Sequence, residues 1–478
     1  MAVTAGISRF GITSLADGVS RQVEAASDSL SAAFFEPVIR LGVTGMARAG
    51  KTVFITSLVA NLLNRARMAG LTAEAEGRIT TAFLQPQPDV TLPRFDYEAH
   101  LAALTGPAPH WPESTRTISE LRLSFRIRPT GLLGGMAGPR ILHLDIVDYP
   151  GEWLLDLGLM SQSYATWSAQ VLSRMEPRPE AAAFLAAARD ATGLAELDES
   201  RAQELARLYT TYLTEVRARG FSDVTPGRFL LPGDLAGSPV LTFAPLPPEE
   251  RAPRRGLWRE MERRFEAYKA RVVKPFFTEH FARIDRQVVL VDALSAIHAG
   301  PAAVEDLGRG MEAVLQAFRP GRNAWLSQVL FGKRVEKILF AATKADHLHH
   351  SQHPRLTAVL DELLSSAIRR ADFAGAKTGS MSIASLRTTV EETLRHEGRM
   401  LDCVRGRLAG GREASLFPGE LPQDPSRITR GHQAGDSWLD GDYQIMNFQP
   451  ATLNLRPGEG PPHIRLDRAA EFLLGDRL

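Results

Sequence analysis

The chain has a single cysteine, Cys403, in 478 residues. That excludes an internal disulfide and any zinc centre built from several thiolates, and it suits a reducing compartment. An excess of one charge is also lacking. The 56 Lys and Arg nearly balance 55 Asp and Glu, for a formal net charge of +1. No global field therefore draws the chain to nucleic acid or lipid. No stretch approaches the ~20 apolar residues of a membrane-spanning helix. The N-terminus has no basic start followed by an apolar run, so no secretory signal is expected. These absences point to a cytoplasmic protein. With 44% hydrophobic and 23% charged residues, the composition is that of a soluble globular chain. Its length implies two domains or three.

What is present is more specific. Gly45-Met-Ala-Arg-Ala-Gly-Lys-Thr52 matches the phosphate-binding loop G-x-x-x-x-G-K-[ST] at every fixed position. Ile39–Thr44 can form a strand before it, and Val53–Leu63 carries helical periodicity after it. Gly45 and Gly50 let the backbone wrap so that successive N–H groups face phosphate oxygens. The helix N-terminus adds partial positive charge. Gly45, Arg48, Ala49, Gly50, Lys51, Thr52 and Val53 are thus the candidate phosphate-binding residues. Lys51 is expected to reach the β- and γ-phosphates, and the Thr52 hydroxyl to ligate Mg²⁺.

The surrounding pattern is α/β. Residues 14–38 read as a leading helix that docks on the next domain; membrane contact is weakly supported because its polar face is not basic. After the phosphate loop and its helix, residues 80–113 read as a Pro-rich irregular stretch. Leu121–Arg128 alternates strictly and Ile141–Val147 is mostly apolar. A short glycine-rich connection between them predicts an antiparallel hairpin. Residues 152–285 are mainly helical, with candidate helices Trp153–Met175, Glu199–Arg219 and Leu257–Val272, the last running on towards Phe281. Strands resume at Gln287–Val291, Val335–Ala342 and Met381–Ala384, with a helix expected over residues 310–330. In the less regular C-terminal part, Ser437–Asn447 and Thr452–Leu455 can pair as strands, and Ile464–Leu474 closes the chain as a helix. The expected architecture is a P-loop NTPase with a doubly wound, mostly parallel sheet, one antiparallel hairpin and a helical insertion. Its ligand belongs at the C-terminal ends of the strands.

Further motifs narrow the nucleotide. Asp148-Tyr-Pro-Gly151 follows its strand directly. There Asp148 can hold Mg²⁺ through water, and the Gly151 N–H can bind the γ-phosphate and lose it on hydrolysis. Thr343-Lys-Ala-Asp346 resembles the guanine motif [NT]-K-x-D. An Asp346 carboxylate accepts N1–H and N2–H₂ of guanine, which adenine does not offer. The Lys344 stem can lie over the base, and Thr343 in place of Asn weakens one contact. Ser385-Leu386 stands where a loop N–H meets guanine O6 in Ras-like proteins. A switch I threonine is expected in Ser114–Thr117, with Thr117 preferred over Thr115 as a Mg²⁺ ligand. Arg116 is a candidate arginine finger. Glu152 stands where Ras carries its water-orienting Gln. Its charge can orient water but also repels the γ-phosphate, so slow hydrolysis is expected. His347, His349, His350 and His353 read as a solvated loop, because no carboxylate or Cys frames them at ligand spacing in the sequence. The Arg-rich run 251–264 reads as a solvated helix face.

Together these residues resemble the YcjX-like family of bacterial P-loop NTPases over nearly the whole chain. The phosphate loop, Asp148-Tyr-Pro-Gly-Glu-Trp153, Arg228-Phe-Leu-Leu-Pro-Gly-Asp234 and Thr343–Asp346 carry the resemblance. It implies a Ras-like core that binds GTP or GDP, a helical insertion and a stress-related role. The expected organisation is an N-terminal segment 1–38, a GTPase-like domain split between 39–151 and 286–400, the insertion 152–285, and a C-terminal extension 401–478. The expected function is a GTP-binding conformational switch with slow Mg²⁺-dependent hydrolysis and an unknown protein partner reached through the insertion. Alternatives are a nucleotide-gated scaffold with negligible turnover, an ATP-using NTPase, or a P-loop kinase, against which the hairpin and guanine motif argue.

Overall fold

A computed structural model describes residues 36–46, 48–113, 117–128, 139–191, 196–221, 224–249, 252–316, 335–373, 375–429 and 446–478. The leading-helix reading, the hairpin connection and most of Ser437–Asn447 lie outside these residues, as does the stretch after Gln316.

Seven strands form one sheet in the order β2-β3-β4-β1-β5-β6-β7. They are β1 (Val38–Gly45), β2 (Ile79–Gln85), β3 (Ser119–Ile127), β4 (Arg140–Asp148), β5 (Arg286–Val291), β6 (Lys337–Ala342) and β7 (Lys377–Ser382). β1 runs parallel to β4 and β5, and β6 runs parallel to β5 and β7. β3 is antiparallel to both neighbours, and its pairing with β4 from Ser119↔Asp148 to Ile127↔Arg140 is the expected hairpin. This is the Ras-like, mostly parallel arrangement.

The central strands are buried on both faces, which is why they read as apolar runs rather than alternations. Period-two geometry still sorts their side chains. Val289 and Val291 join one core; Val288 and Leu290 join the other. The second core is covered by helix Lys51–Leu63 through Phe54, Ile55 and Leu58 and by helix Leu466–Leu474 through Leu473 and Leu474. The first continues from helix His353–Phe373 into the insertion, where Trp167, Phe243 and Phe265 sit in a cluster of edge-on and stacked rings. The insertion therefore shares a hydrophobic core with the sheet.

Several elements differ from expectation. β2 lies inside the stretch read as irregular and adds an edge strand beyond β3. The helix expected over Trp153–Met175 is broken. A short helix Gly151–Leu155 passes into a 3-10 turn Asp156–Ser161, and helix Tyr164–Met175 restarts where Ser163 Oγ accepts the Thr166 N–H at 3.2 Å. Ser163 is thus an N-cap, a role this residue type favours. Thr452–Leu455 is not a strand. A second sheet instead pairs β8 (Thr389–His396), β10 (Glu413–Leu416) and the short β11 (Phe448–Gln449) with β9 (Arg399–Leu408).

Candidate nucleotide-binding site

The loops after β1, β6 and β7 converge on one cavity of about 560 Å³. Its phosphate end is built from Arg48, Ala49, Gly50, Lys51, Thr52 and Val53. Both Arg48 and Gly50 adopt the left-handed region, at φ 63° and 85°. Gly does this without steric cost, and the turn lets the loop curl back on itself. Lys51 Nζ donates to the Gly45 carbonyl at 3.0 Å and so lies across the loop. Helix Lys51–Leu63 starts with no side-chain cap and no acidic residue in its first turn. The positive end of the helix therefore faces the loop with no acidic residue in its first turn, an arrangement that suits an anionic ligand.

Asp148 ends β4 in register with Val43 of β1, and is 1% exposed. It does not line the cavity; it stands behind the phosphate loop. Gly151 packs so closely there that a Cβ would lie 2.0 Å from the Gly45 carbonyl oxygen. No side chain fits. Thr52, in the cavity wall, and the buried Asp148 each offer hard oxygen donors, a donor chemistry that suits Mg²⁺. Thr117 is exposed and is not part of the cavity wall, so the preferred switch I residue is not brought to the site. Thr115 and Arg116 lie outside the described residues. The wall next to them is Trp111, Pro112 and Glu113, with Trp111 Nε1 donating to the Phe448 carbonyl at 2.9 Å.

At the other end Thr343, Lys344, Asp346, Ser385 and Leu386 share the same wall, as their sequence motifs anticipate. Lys344 adopts a left-handed conformation, φ 60°, and its ammonium pairs with Asp292. Asp292 in turn caps helix Ala293–Ala299 by accepting the Ser295 N–H at 3.1 Å. This anchors the tip of Lys344 away from the cavity, leaving its stem along the wall. Asp346 Oδ2 accepts both the Thr388 N–H and the Thr388 hydroxyl, each at 2.8 Å. The carboxylate is thereby oriented before any ligand arrives. Buried His347 beside it is held below the usual histidine range by loss of solvent, so it is neutral at pH 7.

Glu152 also lines the cavity, nearly buried at 2% exposure. It is not free to face a ligand alone. Arg217, at the end of insertion helix Glu199–Ala218, donates to Glu152 Oε1 at 2.5 Å. Arg217, Thr388 and Asp292 were not singled out by sequence. Their partners lie 42 to 65 residues away, and only the strand-end position of Asp292 gave a local signal.

This convergence, with the loop of a P-loop protein at one end and T-K-A-D at the other, agrees with the comparisons. The YcjX-like family, DUF463, matches residues 39–478. The chain belongs to the YcjX-like family. A relative from Escherichia coli strain K12, named "Ras-like GTPase YcjX", is 38% identical over 459 residues, covering 92% of this chain and 96% of the relative. One of the same name from Shewanella oneidensis is 37% identical over 466 residues, covering 92% and 94%. In this YcjX-like chain no helix among the described residues is long and apolar enough to cross a membrane.

Proposed function

We propose that this YcjX-like protein binds GTP and GDP, hydrolyses GTP slowly with Mg²⁺, and acts as a stress-related conformational switch. The observation that carries the reading is the single cavity joining the Arg48–Val53 loop to Asp346. The curated relatives' name, Ras-like GTPase, supports the same class. The helix N-terminus and Lys51 bind the phosphates. Thr52 and Asp148 would hold Mg²⁺, which would supply charge neutralisation to the phosphates when bound. Asp346 selects guanine, with Lys344 along the base and Ser385-Leu386 closing the far side. The Arg217–Glu152 pair lowers the repulsion a lone Glu152 would exert on the γ-phosphate. Glu152 can then position water, with Arg217 supplying positive charge beside it.

Titration of labelled GTP, GDP and ATP onto wild type and Asp346→Ala tests the reading. A guanine preference that falls by about 100-fold or more in the variant is expected, because the site is built to pair with base N–H groups. ATP bound as tightly as GTP by both proteins would overturn it.

The ion pair on Glu152 favours a second reading, a nucleotide-gated scaffold with negligible turnover, because the carboxylate is already engaged. Single-turnover hydrolysis separates the two. Phosphate release slower than about 1 s⁻¹ but complete within hours supports the switch, Ras alone running near 10⁻⁴ s⁻¹. No release over that time supports the scaffold.

A further inference from the structure

The histidine loop beyond the base motif reads differently once the second sheet is in place. His349 and His350 lie three and four residues past Asp346. Strand β8 begins at Thr389, next to the Thr388 that holds Asp346, and carries Glu391. The fold brings Glu391 to both imidazoles. His350 Nδ1 is 2.6 Å from Glu391 Oε2, and His349 Nε2 is 3.8 Å from the same oxygen. One ligand atom from each of the three residues lies within 4.8 Å of the others. Donors around a tetrahedral transition metal stand about 3.3 Å apart, from metal–ligand bonds of about 2.0–2.2 Å. The two donor separations to Glu391, 2.6 and 3.8 Å, bracket that value.

The surroundings also suit an ion. His349 Nδ1 faces Ser351 Oγ at 2.9 Å and Asp402 Oδ2 of β9 at 3.4 Å. Nδ1 also accepts the Ser351 N–H at 3.4 Å; with Nε2 as the ligand the hydrogen sits on Nδ1 and is given to Ser351 Oγ or Asp402 Oδ2 instead. A carboxylate behind a ligating imidazole is the usual outer shell of a metal site and raises ligand basicity. Arg387 approaches the other Glu391 oxygen, Oε1, at 3.7 Å, leaving Oε2 to the histidines. His350 is exposed, so an entry path and a coordination position for water are open.

We infer that His349, His350 and Glu391 form a binding site for one divalent transition metal of the Zn²⁺ class. Imidazole and carboxylate ligands suit that class. The ion would staple the loop after Asp346 to strand β8, the two segments that flank the proposed base pocket. The site itself does not depend on that reading, because its test involves no nucleotide.

Full-length, tag-free protein is stripped with chelator and titrated with Co²⁺, followed by visible absorption, and with Zn²⁺ by calorimetry. One equivalent is expected, with tetrahedral-type Co²⁺ bands. Glu391→Gln, His349→Ala and His350→Ala are each expected to weaken binding by about tenfold or more. His110→Ala is expected to leave it unchanged. Zn²⁺ is also expected to raise the Tm of wild type but not of Glu391→Gln, since only the folded chain holds the ligands together. His350 is exposed while His349 and Glu391 are half-buried, and the metal-free Tm of each variant checks that it folds. No saturable binding by wild type, or a Co²⁺ spectrum that survives His349→Ala/His350→Ala, would overturn the inference.

Discussion

In the proposed base pocket, Thr388 would act on base selection only through Asp346. Its N–H and hydroxyl both hold Asp346 Oδ2, and Asp346 lines the cavity. Thr388→Val keeps the shape and the N–H but removes the hydroxyl. One lost hydrogen bond to a charged group is worth about 1.5–3 kcal/mol at most. GDP affinity should fall about tenfold while ATP affinity stays as it is, read by titration of both onto the two proteins. An unchanged GDP affinity would mean that the hydroxyl does not orient Asp346. Gly151 poses a steric question instead. A methyl group there would meet the Gly45 carbonyl at 2.0 Å and the Met46 nitrogen at 3.3 Å, both backbone atoms that cannot swing aside. Gly151→Ala should therefore cost about 1–3 kcal/mol by overpacking and displace the phosphate loop. Urea unfolding and GTP titration of the same variant would show both effects; wild-type values in both would refute the close approach.

At the scale of elements, the distance between switch and insertion is short. Trp153 directly follows Gly151 and Glu152. The Arg228 guanidinium lies 3.2 Å from its ring centroid, and its Nε1 donates to the Leu231 carbonyl at 3.1 Å. Gly227 sits so close that a Cβ would be 2.2 Å from the Glu152 carbonyl oxygen. Two sequence segments some 75 positions apart are thus one joint, and a nucleotide that shifts Gly151 must move it. Exchange of GDP for a slowly hydrolysed GTP analogue should change tryptophan fluorescence, and Trp153→Phe should remove most of the change although the chain has five other tryptophans. A signal unaltered by that substitution would uncouple the joint from the nucleotide. The parts of this machinery that local residues encode were legible in sequence. The phosphate loop, the Asp148 turn and the Thr343–Asp346 motif announce themselves because each is a contiguous run of residues at or directly after the end of a strand. The hairpin was legible because apolar and polar residues alternate along β3, although Glu120 and Ser124 on the polar face are buried too. β2 was missed because it is an edge strand, half exposed, with Thr80 and Thr81 where core residues would give a period. β8 and β9 were missed for a similar reason. Residues such as Glu391, Arg395, Arg405 and Arg407 are scattered over faces that both carry charge, and strand signals depend on contrast between faces. The Arg217–Glu152 pair is a tertiary contact with no local signature at all.

For the whole molecule, the coupling between sheet and insertion runs through a buried acid. Asp156 is fully enclosed in the 3-10 turn that follows the switch helix. Its Oδ1 accepts the Gly227 N–H at 2.8 Å, and Tyr268 from helix Leu257–Tyr268 donates to Oδ2 at 2.5 Å. Burial pushes its carboxyl from 3.8 up to about 7, against the opposing hydrogen bonds and the nearby Arg228 charge. The folded state therefore prefers the protonated acid. Stability from this group is fully present below pH 4 and is lost as the pH rises through 7. The loss is on the order of 4 kcal/mol if the full difference is realised. Buried histidines act in the opposite direction. His347, His353 and His463 are all held below 6.5 by burial, so they favour the fold as the pH rises through that range. Their contribution hides Asp156 in a single pH profile but cancels between two proteins that share them. Asp156→Asn keeps an oxygen for Gly227 and stays neutral at every pH. Urea unfolding of wild type and variant from pH 5 to 8.5 should show wild type losing stability relative to the variant most steeply between pH 5 and 6, less so through pH 7, and levelling off above it. Parallel profiles would mean that Asp156 is not protonated near neutrality, and the joint would then hold an ion where this structure calls for a neutral acid.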